Sequence, residues 1–102
     1  MCGFVGYIKY IIDDSCIGER VDFSAEQRQK ALKMLENRGP DIEGQWQDQR
    51  VWLGHRRVSI VDTSPRGKQP MEYSNFVIAF NGMIYNFRDI RKTLIQKGYR
   101  FQ

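Results

Sequence analysis

Gly39-Pro40 divides this chain into parts that cannot share one helix. Glycine accepts the left-handed backbone that closes a helix, and proline has neither the N–H nor the room to extend one. Upstream, Ser24 and Gln27 have the spacing of a capping box, in which each side chain satisfies a free N–H at a helix start. Ala31, Leu32, Met34 and Leu35 recur on one face, so a helix is expected from Ser24 to Gly39-Pro40 with that stripe as core. Downstream the pattern changes. Residues 43–47 and 51–55 flank Asp48-Gln49 at hairpin spacing, and a short strand is expected over 58–61. Pro65, Gly67 and Pro70 make residues 63–71 a loop. Residues 76–80 form a continuous apolar strand ended by Asn81-Gly82, a pair suited to positive φ. A second helix opens at Asn86, with Asp89 in its first turn, Phe87, Ile90, Leu94 and Ile95 on one face, and Gly98 at its end. Residues 99–102 read as the start of another strand. Residues 2–12 read as a buried strand in which Gly3 and Gly6 mark close approach, followed by a turn at Asp13-Asp14-Ser15. Strands in groups with helices between them specify an α+β fold rather than an alternating parallel sheet.

The length of 102 residues suffices for one core. No apolar run approaches the roughly 20 residues of a membrane span, and the start lacks a charged segment followed by an apolar one, so a cytoplasmic protein is expected. The net charge of +4 raises the question of nucleic acid. The basic residues answer it: Arg28, Lys30, Lys33 and Arg88, Arg91, Lys92, Lys97 interleave with apolar positions as solvated helix faces do. With two cysteines and one histidine a closed metal site is not expected.

Cys2 is the candidate nucleophile. A small second residue favours removal of Met1, and Cys2 then carries a thiol and a free α-amine on one residue. Such an amine can serve as the base that activates its neighbouring nucleophile. The plain alternative is a small residue that opens a strand.

Four segments fall into line with Met1-Cys2-Gly3-Phe4-Val5-Gly6: Asn37-Arg38-Gly39-Pro40-Asp41, Gly54-His55-Arg56-Arg57-Val58-Ser59-Ile60-Val61-Asp62, Gln69-Pro70, and Asn81-Gly82-Met83-Ile84-Tyr85-Asn86-Phe87. In this order they resemble the glutamine-hydrolysing domain of asparagine synthetases, a class II glutamine amidotransferase within the N-terminal nucleophile hydrolases. The resemblance implies layered sheets and helices (αββα), of which residues 1–102 carry roughly the first half as a partial amidotransferase domain, with the synthetase domain absent. It implies that the Cys2 thiolate attacks the glutamine side-chain amide while the α-amine handles the proton. Asn81 and the Gly82 N–H would hold the oxyanion, and Arg57 the α-carboxylate, with Ile60 and Val61 main chain helping to hold substrate. Arg56, on the opposite strand face, is expected to meet solvent or a structural carboxylate. Arg38 and Asp41 are expected in ion-pair or backbone-bonding roles at a corner near the site. His55 is expected to be a packed, hydrogen-bonded histidine rather than a general base, and Cys16 incidental.

The same resemblance implies no cofactor for the glutaminase half; ATP and magnesium belong to the synthetase domain. Glutamine is the expected small-molecule partner, joined by a synthetase domain or partner chain, or by a second copy through open sheet edges. Two departures stand out. Met83 stands where the family has glutamate after Asn-Gly, and residues 1–102 stop before the Gly-Ser-Asp-type segment, so by the resemblance neither acidic contact to the substrate ammonium is expected within these residues. Poor glutamine binding is the expected consequence. It motivates two alternatives: a non-catalytic remnant acting as an assembly or binding module, and an amidotransferase half serving a sugar or peptide acceptor.

Overall fold

A computed structural model of the chain describes residues 2–9, 23–59 and 64–101. Its elements are β1 (Gly3–Ile8), α1 (Ala25–Met34), β2 (Ile42–Gln47), β3 (Val51–Arg57), a 3-10 turn (Pro65–Gly67), β4 (Met71–Tyr73), β5 (Phe76–Ile78) and α2 (Phe87–Gln96). The strands form a three-stranded sheet in the order β1-β3-β2 and a two-stranded sheet β4-β5, every pairing antiparallel. The fold class is α+β, as expected.

Helix α1 starts as its sequence requires. Ser24 accepts from the Gln27 N–H at 3.2 Å, and Gln27 Oε1 accepts from the Ser24 N–H at 2.9 Å, which completes the capping box. Its end departs from expectation. The α-helix stops at Met34, and the chain reaches Gly39-Pro40 through tight turns closed by Leu35 N–H to Leu32 O, Glu36 N–H to Lys33 O and Arg38 N–H to Leu35 O. Gly39 is buried against the Arg56–Arg57 main chain, where a Cβ would overlap backbone atoms, so the corner is set by packing on β3. The apolar stripe divides too: Leu32 is fully buried, whereas Met34 is 84% exposed.

Strand pleating sorts the sheet residues. Directly opposed residues of antiparallel strands point to the same face, and the register pairs Gly3 with Arg56, Phe4 with His55, Val5 with Gly54 and Tyr7 with Trp52. Gly54 lies against Leu32, and Gly3 against Leu35 and Arg38, so one face carries Gly3, Val5, Tyr7, Trp52, Gly54 and Arg56 toward α1. Leu32 and Trp52 are its buried core, with the Tyr7 ring stacked 6.0 Å from that of Trp52 and 5.2 Å from Phe23. The opposite face, here the far face, carries Phe4, Gly6, Leu53, His55 and Arg57, and from β2 Gly44 and Trp46.

The segment from Ser64 to Phe80 lies on that far face. Main chain of Gln69 occupies the space a side chain on Gly44 would need. Trp46 Nε1 donates to Glu72 Oε1 at 2.7 Å, which ties β2 to β4. Strand β4 is absent from the sequence expectation, which made Met71 loop. It pairs Met71 with Ile78 and Tyr73 with Phe76 around a turn in which Ser74 has φ 53. The positive φ therefore falls at Ser74 and not at Asn81-Gly82, and β5 ends at Ile78 rather than Phe80.

Three further expectations change. Strand β1 ends at Ile8, with Lys9 N–H donating to Arg50 O just beyond it, and residues 10–12 lie outside the described residues. Val58 and Ser59 follow β3 as irregular chain, and residues 99–101 form no strand. Helix α2 opens at Asn86 and closes at Gly98 (φ 92) as expected, but none of its residues is buried, and Phe87, Ile90 and Ile95 are exposed.

Candidate functional site

Cys2 stands one residue before β1, in line with Phe4 and Gly6, and so belongs to the far-face row. Its thiol is half-buried against the chain leaving β3: the Val58 N–H donates to Cys2 Sγ at 3.3 Å, and Sγ lies 3.9 Å from Val58 O. Arg38 Nε donates to the Cys2 carbonyl at 3.3 Å, so the corner before β2 holds the residue from its other side. Cys2 is a free thiol. Arg38 is expected to bond ions or backbone near the site, and does so on the Cys2 carbonyl, whereas Val58 is expected only as a member of its segment; its contact with the Cys2 sulfur depends on the pairing of β1 with β3, which composition does not reveal.

Arg57 is next to Val58, on the same face as Cys2 by the register, and is 8% exposed. Its Nη1 donates to Ser64 O at 2.7 Å, and Gly67 lies over the guanidinium so closely that a Cβ there would overlap it. The loop through Ser64–Gly67 thus fixes the direction of a planar, permanently charged fork. Arg56, one residue earlier, points to the α1 face as expected. It donates to Glu43 Oε2 at 2.8 Å and to Gly39 O at 3.0 Å, with Glu36 Oε1 3.6 Å away. Two adjacent arginines therefore serve different faces. Arg38 and Asp41 have the expected backbone-bonding roles, since Asp41 Oδ2 accepts from the Ser59 N–H at 2.7 Å. That bond guides the chain that follows β3. Ile60, Val61 and Cys16 lie outside the described residues.

Asn81 is half-buried and Gly82 exposed, directly after Phe80. Phe80 is held by two side chains: its N–H donates to Gln69 Oε1 at 2.6 Å, and its carbonyl meets His55 Nε2 at 3.3 Å. His55 is fully buried, as a packed, hydrogen-bonded histidine should be. Burial holds its pKa below the ordinary 6.5, and the charge of Arg57 adds to that, against the opposing pull of the Phe80 carbonyl. These effects favour the neutral ring, and a bond to the Phe80 carbonyl requires the proton on Nε2; among the described residues Nδ1 is buried without a hydrogen-bond partner.

The described residues thus bring Cys2 and Arg57 together at the end of β3, and tie Asn81–Gly82 to the same strand through Phe80 and His55. Among the described residues no cluster of His, Cys, Asp and Glu could hold a metal ion, and no helix is long and apolar enough to cross a membrane. A half-buried thiol that accepts an N–H, and an oriented guanidinium on the same sheet face, are parts suited to a nucleophile acting on a substrate that carries a carboxylate.

Comparison with known proteins identifies the family. The family model described as "Glutamine amidotransferase domain" matches residues 1–102. Asparagine synthetase [glutamine-hydrolyzing] 1 of Bacillus subtilis is 38% identical across 99% of this chain, and asparagine synthetase [glutamine-hydrolyzing] 3 of the same organism is 30% identical across 100%. Amidase chry2 of Gibberella zeae is 36% identical across 68% of the chain. The chain spans 15%, 16% and 11% of the lengths of these relatives, respectively. No solved structure matches. With a match over its whole length and relatives of this likeness, the chain belongs to the glutamine amidotransferase domain family.

Proposed function

We propose that this chain hydrolyses glutamine to glutamate and ammonia through a thioester on Cys2, as the amidotransferase part of an asparagine-synthetase-type system. The observation that carries the reading is the seat of Cys2: its sulfur accepts the Val58 N–H at 3.3 Å, one residue along the chain from Arg57, whose guanidinium is oriented by Ser64 on the same sheet face.

Removal of Met1 frees the Cys2 α-amine, which takes the thiol proton as sulfur attacks the glutamine amide carbon. A C–S bond forms and the carbonyl π electrons move to oxygen, where Asn81 and the Gly82 N–H stabilise the charge; one such donor is worth about 10²–10³ in rate. Collapse expels ammonia, which leaves with the proton carried by the amine. Water then cleaves the thioester, releasing glutamate and restoring the thiol. Arg57 pairs with the substrate α-carboxylate, and the main chain of Ile60 and Val61 completes the grip. This half of the reaction needs no cofactor. ATP and magnesium would belong to a synthetase domain that receives the ammonia for transfer to aspartate; the Bacillus relatives carry the name of glutamine-hydrolysing asparagine synthetases. Cytoplasm is the compartment that fits this role. A sugar or peptide acceptor would leave the Cys2 chemistry unchanged.

Intact mass and glutamate release test the reading together. Loss of Met1, a diazo-ketone glutamine analogue bound at Cys2 and not Cys16, and abolition of glutamate release by Cys2→Ala are expected. Retention of Met1, or absence of the adduct from trimmed protein, sinks the catalytic reading and leaves an assembly module. Met83, 57% exposed, offers no charge to the substrate ammonium. A high KM for glutamine is expected, and Met83→Glu should lower it.

A further inference from the structure

His55 and Gln69 take no part in that mechanism, yet both spend their polar groups on one residue. Strand β5 stops at Ile78, so Phe80 has left the ladder that would otherwise pair its main chain. Gln69 Oε1 accepts from the Phe80 N–H at 2.6 Å, and His55 Nε2 donates to its carbonyl at 3.3 Å. We propose that His55 and Gln69 are positioning residues that grip both backbone groups of Phe80 and so set where the Asn81 and Gly82 donors stand; this rests on the oxyanion role proposed above for that pair.

Both supports of this clamp pack on the sheet. His55 is fully buried on β3, with Phe4 opposite it on β1 and Gly44 opposite it on β2. Gly44 leaves the space through which Gln69 main chain approaches the sheet. Both arms are therefore anchored to the far face. Val58, which holds the Cys2 sulfur, is three residues along the same chain from His55, about 10 Å at the rise of extended backbone. One segment thus fixes the spacing between the nucleophile and the oxyanion donors.

Packing alone does not explain the histidine. Among the described residues Nδ1 is buried without a hydrogen bond, a cost that an apolar side chain of similar size would avoid. The ring keeps that cost and uses its one N–H on Phe80. Displacement of a reacting group by about 1 Å can cost as much as 10²-fold in rate, so a bond two residues from a donor can matter without touching substrate.

The test uses the full chain with His55→Met and Gln69→Met, which remove the donor and the acceptor at similar length, and His55→Gln and Gln69→Glu, which keep them. The two methionine variants should lose about 10–100-fold in kcat for glutamine hydrolysis with KM unchanged. Alkylation of Cys2 by iodoacetamide, which needs no oxyanion donors, should keep its rate. His55→Gln and Gln69→Glu should recover most of the loss, and amide NMR signals of Phe80, Asn81 and Gly82 should move only in the methionine variants. Wild-type kcat in the methionine variants, or His55→Gln as impaired as His55→Met, overturns the clamp. So does a loss in which KM and alkylation move together with kcat. Wild-type protein without glutaminase activity overturns the proposed function instead; the clamp is then decided by the amide signals, which shift in the methionine variants if it exists and stay fixed if it does not.

Discussion

Helices α1 and α2 have ten residues each, and the one with the weaker apolar stripe is the one that packs. Helix α1 is mostly polar, yet Leu32 is completely buried against Gly54 and Trp52. Helix α2 presents Phe87, Ile90, Leu94 and Ile95 as a coherent face, and among its residues none is buried. Amphipathic pattern specifies which side of a helix is suited to burial; a partner surface decides whether burial happens. For α1 that surface is the sheet face made by β1 and β3. For α2 no such surface is present among the described residues.

The contrast can be broken by experiment. Leu32→Ala should cost most, about 2–5 kcal/mol by denaturant unfolding, because it removes buried methyls and leaves a cavity beside Trp52. Gly44→Ala should cost about 1–3 kcal/mol, since a methyl there must displace Gln69 main chain; it asks whether the far face is as tightly held as the helix face. Ser24→Ala should cost about 1 kcal/mol through loss of the capping box that starts α1. A smaller effect concerns pH. The folded state holds the pKa of His55 below 6.5, so between 6.5 and that lower value the unfolded chain binds more protons than the folded one. Stability is complete above that window and falls as pH descends through it. Melting at pH 7.5 and 5.5 should show a larger drop for wild type than for His55→Gln. Ile90→Ala should cost least, under about 0.5 kcal/mol, as for an exposed position. A cost comparable to that of Leu32→Ala would mean that α2 is covered in solution, and the contrast between the helices would fail.

Local signals were legible in the sequence where the cause was local. The Ser24–Gln27 box starts α1 as its spacing requires, Asp48 and its neighbours join β2 to β3, and Gly98 takes the positive φ that ends α2. The opposite orientation of Arg56 and Arg57 follows from strand period alone. Features that depend on distant partners were not legible. Met71-Glu72-Tyr73 is too short and polar to announce a strand, and becomes one by pairing with Phe76–Ile78. The end of α1 at Met34 depends on the fit of Gly39 against β3. Of the candidate site, the identities of Cys2, Arg57, Asn81 and Gly82 came from ordered segments, whereas the bonds through Val58, Ser64, Gln69 and His55 exist only once register is known.

The alternation of β3 has a consequence for how this chain can change over time. Its even-numbered residues Trp52, Gly54 and Arg56 answer to the packing of α1, and its odd-numbered residues Leu53, His55 and Arg57 face the proposed chemistry. Architecture and the proposed reactivity are thus separated by parity rather than by distance, interleaved along one strand. Selection can tune either set by point substitution while the other stays still. A one-residue slip of the strand would exchange the two sets at once, delivering Arg56 to the site and Arg57 to the helix. Substitution along β3 is therefore a gradual route to variation, and insertion or deletion within it an abrupt one.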